Sequence, residues 1–395
     1  MQQPEDLRRF GLFRRLSFSL FMAIIPLGCF SPLAQAKMPS PPSNKVIAYI
    51  FPKDKQLAAG DVEVGKLTRI NYAFANLQKG RIVEGFAHDA DNFALLNSLK
   101  RDNPSLEVVV SVGGWTWSGN FSDMALTKQS RSIFIESAVK FVERYNLDGL
   151  DIDWEYPGMI GDNNRFRPED KTNYTRLLKE LRKRFNKEER KLGRHLVTSI
   201  ATGASTDFLD HTEMATVQRY VDTVNLMTYD FYIPGEDKTT GHHAPLYTNP
   251  ADPKEISADR SVREYEKAGV PARKIVLGVP FYGKSWVDVP DQDHGLFQPG
   301  KQAPGTYLPY SSFEGLMKSG YIRYWDSAAK APYLYNEDTH TFITYEDPES
   351  LKNKCEYVVD HHLGGVMFWE YFGDPSLSLV NTIYSSLHEE TKYTR

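Results

Sequence analysis

The sequence is poor in cysteine and has no surplus of basic residues. Its 395 residues include two cysteines, Cys29 and Cys355, and only Cys355 remains if the N-terminal segment is removed as argued below. No internal disulfide could then form, so the core alone must stabilise the fold. The 47 Lys and Arg residues face 51 Asp and Glu residues, for a formal net charge of −4. This balance does not favour binding to nucleic acid or to an anionic membrane.

Long apolar runs are also missing from the sequence. The N-terminal run, residues 16–30, is too short and wrongly flanked for a stable transmembrane helix. Four arginines precede it, and Ala34-Gln35-Ala36 follows it as a typical cleavage pattern. We therefore predict a secretory signal over residues 1–36 and an extracellular or periplasmic protein. Acylation of Cys29 in a lipoprotein and twin-arginine export are the alternatives.

From Lys45 onward, short apolar strands alternate with amphipathic helical stretches. Helical spacing of apolar residues is clearest over 129–145 and 171–190. Repeated strand–helix alternation in one domain predicts a parallel α/β fold, specifically a (β/α)₈ barrel whose functional site lies at the C-terminal ends of the strands. The eight predicted strands are Val46–Phe51, Arg69–Ala75, Glu107–Val112, Gly149–Glu155, Leu196–Ala201, Thr223–Thr228, Ile275–Phe281 and Gly365–Trp369.

The fourth predicted strand carries three alternating acids. Asp151, Asp153 and Glu155 alternate with apolar residues, so a strand of period two puts the three carboxyls on one side. Carboxyls that share a protein interior cannot all ionise, so at least one pKa should be raised. A carboxyl that stays protonated near neutral pH is suited to general acid catalysis. The alternation alone also permits a magnesium or calcium site or a solvated edge.

Polar and aromatic side chains cluster where the predicted strands end. The third strand runs through Gly114 into Trp115 and Trp117, the fourth ends at Tyr156, and the eighth ends at Trp369. Each tryptophan alone is more often a packing residue than a functional one. Their shared placement at one end of the barrel favours a cleft in which aromatic faces stack on sugars.

These motifs resemble glycoside hydrolase family 18, the chitinases and their relatives. Asp148–Pro157 matches the family signature DGxDxDWEYP, 111–114 resembles its SxGG motif and 227–230 its M-x-Y-D motif. Trp369 matches the tryptophan that forms the floor of the −1 sugar site. The resemblance covers residues 46–387 and implies a chitinase that hydrolyses β-1,4-linked N-acetylglucosamine polymers.

The resemblance also implies a substrate-assisted, retaining mechanism in which the acetamido oxygen of the sugar attacks its own anomeric carbon. Glu155 would be the acid and then the base. Asp153 would orient the acetamido N–H, and Asp151 would hold Asp153 and help to raise the pKa of Glu155. Tyr229 would donate to the acetamido oxygen, and Asp230 would add polar support.

Further positions follow from the same resemblance. The expected substrate-binding residues are Trp369, Trp115, Tyr156, Gly114 and Met227. We expect chitin or chitooligosaccharides as the partner, no cofactor and no metal, and a monomer. The paired histidines 242–243 and 361–362 lack further ligands at metal-site spacing. A chitin-binding lectin and an endo-β-N-acetylglucosaminidase on the same fold are the alternatives.

One stretch, residues 284–345, breaks the strand–helix rhythm between the seventh and eighth strands. Irregular loops of this length are uncommon, and family 18 chitinases with a deep cleft carry an α+β insertion at this point. We expect such an insertion to form a cleft wall, with Trp286 and Trp325 as its first candidate sugar contacts. The barrel would then comprise residues 37–283 and 346–395.

Overall fold

The computed structural model describes residues 44–305 and 307–388, so the predicted signal over residues 1–36 lies outside the described residues. The strands, in chain order, are β1 (Lys45–Ile50), β2 (Arg69–Gln78), β3 (Arg81–Val83), β4 (Glu107–Gly113), β5 (Gly149–Asp153), β6 (Val197–Gly203), β7 (Thr223–Met227), β8 (Ile275–Pro280), β9 (Tyr282–Val287), β10 (Lys301–Gln302), β11 (Leu308–Pro309), β12 (Ile322–Asp326), β13 (Ala331–Asn336), β14 (Thr341–Thr344) and β15 (Gly365–Trp369).

Most of the described helices follow strands of the larger sheet, whereas the short helix Phe313–Lys318 lies between β11 and β12 of the second sheet. Within residues 44–305 and 307–388, no helix is long and apolar enough to cross a membrane. In chain order the helices are α1 (Asp89–Ser98), α2 (Phe121–Ala125), α3 (Lys128–Arg144), α4 (Asp170–Leu192), α5 (Thr206–Asp210), α6 (Met214–Val217), α7 (Ala258–Lys267), α8 (Phe313–Lys318), α9 (Pro348–Asp360) and α10 (Ser378–His388).

Eight parallel strands close into a barrel, as predicted. They follow the order β1-β2-β4-β5-β6-β7-β8-β15, and β15 pairs with β1 to complete the ring. Each predicted strand coincides with one of these strands to within three residues at either end. The match is close because strands that are buried on both faces read as continuous apolar runs, as in Val108-Val109-Val110.

Amphipathic spacing places the helices against the barrel. Helix α4 buries the apolar stripe predicted from its sequence, including Tyr174, Leu177 and Phe185. It ends at Gly193, whose φ of 67° belongs to the left-handed conformation that terminates many helices. Helix α3 begins with a capping box between Thr127 and Ser130. These local signals fix where the helices start and stop.

A second, antiparallel sheet lies between β8 and β15 in the chain. Strands β10, β9, β14, β13 and β12 follow one another across it, and β11 also pairs with β9. The first of these strands, β9, begins at Tyr282, and one residue, Phe281, separates it from the barrel strand β8. Trp286, Tyr335 and Phe342 pack in the core of this sheet. The bounds 284–345 for a separate domain stay a prediction.

A buried ion pair connects the two sheets. Lys354 on α9 pairs with Glu346, just after β14, and both side chains are 1% exposed. The Lys354 ammonium also donates to the Ala244 carbonyl oxygen, at 2.6 Å, in the loop after β7. Because a buried charge is costly without a partner, this pair fixes α9, β14 and the loop in one arrangement.

Candidate active site

The three alternating acids lie at the C-terminal end of β5, as the barrel architecture requires. A cleft of about 940 Å³ opens there, and Asp153 and Glu155 line it together with Tyr229, Asp230 and Trp369. The predicted acids and the residues predicted from β7 and β15 are therefore brought together. Asp151 does not line the cleft and lies one strand step deeper in the barrel.

Four hydrogen bonds hold the Asp151 carboxylate inside the barrel. In the parallel register, Asp151 pairs with Ser111 of β4 and Ser199 of β6. Its Oδ2 accepts from Tyr49 at 2.9 Å and from Ser111 at 2.8 Å, and its Oδ1 accepts from Ser199 at 2.6 Å and from Asn225 at 3.2 Å. Burial raises the pKa of Asp151, and the donated hydrogen bonds oppose that rise.

Asp153 is buried without a partner for one of its oxygens. Its Oδ1 has no hydrogen bond within the described residues, and the residue is 4% exposed. Burial raises the pKa of Asp153 well above its usual value, and the negative charges of Glu155 and Asp151 raise it further. A buried carboxyl oxygen without a hydrogen bond is rare in folded proteins, so it marks Asp153 as a residue with a role beyond packing.

Glu155 is buried and has a pKa close to neutral. Burial raises its pKa to about 7, and the charge of Asp230 adds to this rise. The backbone on both sides of Glu155 is fixed, because its N–H donates to Ser118 Oγ at 2.8 Å and its carbonyl accepts from Asn164 at 2.5 Å. Sequence reasoning missed Ser118 and Asn164, since no motif marks them as site residues.

Asp230 remains ionised, and its side chain is 39% exposed whereas Glu155 is 8% exposed. Burial alone would raise its pKa, but the neighbouring His243 and the Lys284 ammonium lower it to about 2. Asp230 Oδ1 accepts from the Tyr282 hydroxyl at 2.6 Å and lies 3.0 Å from Lys284 Nζ. The residue has a φ of 60°, which is unusual for a non-glycine residue. Tyr282 and Lys284 belong to β9 and were not predicted as site residues.

Four of the five predicted substrate-binding residues line the cleft, namely Trp115, Tyr156, Met227 and Trp369. Gly114 does not. Its N–H donates to the Asp153 carbonyl oxygen at 2.8 Å, and a Cβ there would lie 2.7 Å from the Phe74 ring. Gly114 therefore holds β4 against β5 behind the site, where only a residue without a side chain fits.

The paired histidines 242 and 243 point to different partners. His242 Nε2 lies 3.0 Å from Asp326, and His243 Nδ1 lies 3.5 Å from Asp230. In the part of the chain that the structure describes, only Asp291, His294 and Glu337 have ligand atoms spaced as a metal site requires. All three are exposed and none lines the cleft.

Comparison with known proteins gives one consistent result. The profile of the family described as "Glycosyl hydrolases family 18" matches residues 45–374. Chitinase A1 of Niallia circulans is 36% identical over 438 residues, which cover 94% of this chain and 62% of that protein. Chitotriosidase-1 of Mus musculus is 33% identical over 320 residues, or 78% of this chain and 67% of that protein.

Among solved structures, a family 18 N-acetylglucosaminidase from Paenibacillus barengoltzii is similar with a TM-score of 0.81 and 42% identity. The similarity covers 87% of this chain and 99% of that one. The chain thus spans nearly the full length of this enzyme, but less than two thirds of the Niallia chitinase.

Proposed function

The chain belongs to glycoside hydrolase family 18, and from this premise we propose that it hydrolyses chitin, the β-1,4-linked polymer of N-acetylglucosamine. The reaction would retain the anomeric configuration. The observation that carries the proposal is the pair of adjacent carboxyls in the cleft. Glu155 has a pKa of about 7, and Asp153 lines the same cleft and has a carboxyl oxygen without a hydrogen bond in the structure. The curated relatives that are named as chitinases support the same substrate.

In this proposal Glu155 is the catalytic acid. Its proton passes to the glycosidic oxygen as the bond to the anomeric carbon breaks. Glu155 is then a carboxylate and removes a proton from the water that attacks the anomeric carbon, which restores the acid. A pKa of about 7 suits both steps, because the group can lose and regain its proton near neutral pH.

The substrate supplies the nucleophile. The acetamido oxygen attacks the anomeric carbon as the leaving group departs, and a cyclic oxazolinium ion forms. The Asp153 carboxyl accepts the acetamido N–H and orients the group, and the Tyr229 hydroxyl donates to the acetamido oxygen, since both residues line the cleft. The Asp153 carboxyl also places an acceptor oxygen beside the developing cation, and a buried site makes such an oxygen effective.

Asp151 and Asp230 act on the two cleft carboxyls through their charges. The four donors around Asp151 fix it beneath Asp153, where its charge raises the pKa of Asp153. The ionised Asp230 raises the pKa of Glu155 in the same way. A lectin on this fold would need neither a neutral-pKa acid nor a free acceptor, so the enzyme is the better reading.

Location and assembly belong to the same proposal. The protein is secreted after cleavage behind Ala36, has no cofactor and acts as a monomer with a cleft wall supplied by residues 284–345. N-terminal sequencing of the exported protein should find Lys37 as its first residue. An acylated Cys29 would instead identify a lipoprotein.

Substrate assistance has a direct test. Chitin oligomers should be cut, whereas chitosan and cellulose oligomers of equal length should not, because no protein group replaces the missing acetamido oxygen. NMR of the first products should show the retained anomer. Inverted product, or rapid cleavage of deacetylated chains, would contradict the mechanism and make Asp153 a conventional base or nucleophile.

A further inference from the structure

The second sheet reaches the cleft through a tyrosine and a lysine rather than through its tryptophans. Trp286 was expected to contact sugar, but it is fully buried in the core of that sheet. Trp325, the other expected contact, packs against the Arg323 guanidinium at 5.3 Å and does not line the cleft. Tyr282 and Lys284 line it instead. Both belong to β9, which is thus the strand by which the second sheet contacts the site.

Three side chains approach one oxygen of Asp230 in the cleft. Asp230 Oδ1 accepts from the Tyr282 hydroxyl at 2.6 Å. The same oxygen lies 3.0 Å from Lys284 Nζ and 3.5 Å from His243 Nδ1. Asp230 and His243 belong to the loop that follows β7, whereas Tyr282 and Lys284 belong to β9. These contacts therefore join the second sheet to the loop that carries Asp230.

Of these three side chains, only Lys284 carries a positive charge at neutral pH. Tyr282 keeps its phenolic proton, because burial and the charge of Asp230 raise its pKa well above the usual value. His243 is fully buried, and burial lowers its pKa to about 4, so its imidazole is neutral. The Lys284 side chain is 15% exposed. Salt and solvent screen such a partly buried charge less than a charge on the surface.

The other titratable groups around Asp230 add no positive charge. They are the carboxyl of Glu155, the phenols of Tyr156 and Tyr229, which line the same cleft, and the phenol of Tyr307, whose ring stacks on Tyr282 at 4.7 Å. Burial raises the pKa of all three phenols, so they stay neutral. Among the described residues, Lys284 is therefore the only cation within 4 Å of the Asp230 carboxylate at neutral pH.

The charge of Asp230 in turn acts on the catalytic acid. Asp230 and Glu155 line the same cleft, and the negative charge of Asp230 raises the pKa of Glu155. A positive charge 3.0 Å from the Asp230 carboxylate offsets part of the field of that carboxylate. A change of charge at Lys284 should therefore reach Glu155 through Asp230.

We propose that Lys284 is a positioning residue that acts on the catalytic acid through Asp230. Its ammonium group holds the Asp230 carboxylate against β9 and balances part of its negative charge, so the second sheet helps to set the pH range in which Glu155 stays protonated. This inference rests on the proposed function, in which Glu155 is the acid. It gives β9 a role beyond that of a cleft wall.

Removal of each charge tests the inference, because the two effects have opposite signs. In Lys284→Met the charge of Asp230 is no longer balanced, so the pKa of Glu155 should rise. The basic limb of the profile of kcat/KM against pH should then move up by about 0.5–1 pH units. Asp230→Asn removes the negative charge itself and should move this limb down by about the same amount. Initial rates of cleavage of a chitin tetramer, measured below KM between pH 5 and 9, give the profiles.

A double variant shows whether Lys284 acts through Asp230. In an Asp230→Asn background, Lys284→Met should leave the basic limb where Asp230→Asn alone puts it, since no carboxylate remains to be balanced. Lys284→Arg keeps the positive charge and should keep the wild-type limb. Lys100→Met is a matched control, because Lys100 is 24% exposed and its Nζ lies 2.5 Å from Asp148. That pair lies just before β5 begins, at the opposite end of the barrel, so its loss should not move the limb.

Two outcomes would overturn the inference while hydrolysis itself stands. One is a basic limb that Lys284→Met leaves in place or moves down. The other is an upward shift of equal size in the Asp230→Asn background, which would show that Lys284 acts on Glu155 directly. If circular dichroism shows that Lys284→Met does not fold, Lys284→Gln makes the same comparison. If the wild-type protein cleaves no chitin oligomer, the proposed function fails and the inference fails with it.

Discussion

Glu155 combines burial with a pKa of about 7, and both follow from its place at the end of β5. Because the protonated form is required, activity should fall as pH rises through about 7. Glu155→Gln keeps the shape but removes the proton donor, so turnover should fall by roughly 10²–10⁴. Steady-state rates between pH 5 and 9, with the exposed Glu169→Gln as control, measure both effects. An unchanged turnover in the variant would rule out the assignment.

Tyr229 offers a second test at the residue scale. If its hydroxyl stabilises the acetamido oxygen in the transition state, Tyr229→Phe should cost about 2.7–4 kcal/mol, mostly in kcat. Tyr282→Phe is the informative comparison, because it removes the hydrogen bond to Asp230 without touching the acetamido group. Its loss should be smaller. Equal losses of kcat in the two variants would show that the Tyr229 hydroxyl does not itself stabilise the acetamido oxygen in the transition state.

The sequence indicated the acids but not the groups that hold them. Asp151, Asp153 and Glu155 are neighbours on one strand, and their alternation is visible in the printed sequence. Their partners Ser118 and Asn225 lie 37 and 74 residues away: Ser118 follows the neighbouring strand β4, and Asn225 reaches Asp151 from β7. A lone serine or asparagine carries no pattern, so these contacts could not be predicted. The prediction that Trp286 contacts sugar was wrong for a related reason, because the residue type alone does not show which face of a strand the side chain occupies.

At the scale of elements, β4 and β5 approach closely where the acids emerge. A Cβ on Gly113 would lie 2.2 Å from the Asp153 carbonyl oxygen, and the φ of Gly113 is 111°. Gly60 also has a positive φ, 94°, but no heavy atom lies within 4 Å of its Cβ position. Gly113→Ala therefore adds a steric clash to the backbone strain, whereas Gly60→Ala adds strain alone.

Gly60→Ala should lower the free energy of unfolding by about 1–2 kcal/mol. Gly113→Ala should lower it by about 1–3 kcal/mol more, because a packed backbone must move. Since that movement displaces Asp153, Gly113→Ala should also reduce kcat, and Gly60→Ala should not. Urea unfolding and steady-state kinetics check the two effects. Equal free energies of unfolding for the two variants would show that the β5 backbone can move away from residue 113 at little energetic cost.

The sequence predicted the barrel strands more accurately than the strands of the second sheet. The barrel strands were located to within three residues because each is a buried apolar run between helical stretches. In the second sheet, β10 and β11 are two residues long, and β11 contains Pro309. Two residues cannot show a period of two, so these strands were not predicted. Strand β9 was not predicted, although most of it falls in the predicted insertion 284–345, because only Phe281 separates it from β8.

For the whole molecule, the buried Glu155 carboxyl lowers the free energy of unfolding near neutral pH. The folded protein holds a proton on Glu155 up to about pH 7, whereas the unfolded chain releases it near its ordinary pKa of 4.5. Between these values the folded state binds more protons, so the stability of the fold must decrease as pH rises. No disulfide offsets this cost within the described residues, where Cys355 is a free, buried cysteine.

Glu155→Gln should therefore stabilise the protein although it lowers turnover. At pH 8 the variant should gain about 1–3 kcal/mol in the free energy of unfolding relative to the wild type, because a neutral amide replaces a buried carboxylate. At pH 4.5 the gain should nearly vanish, since the wild-type side chain is then protonated in the folded state. Urea unfolding at both pH values measures the difference, and Glu266→Gln on the exposed face of α7 should show none. A gain that is equal at both pH values would mean that packing, not the proton, accounts for it.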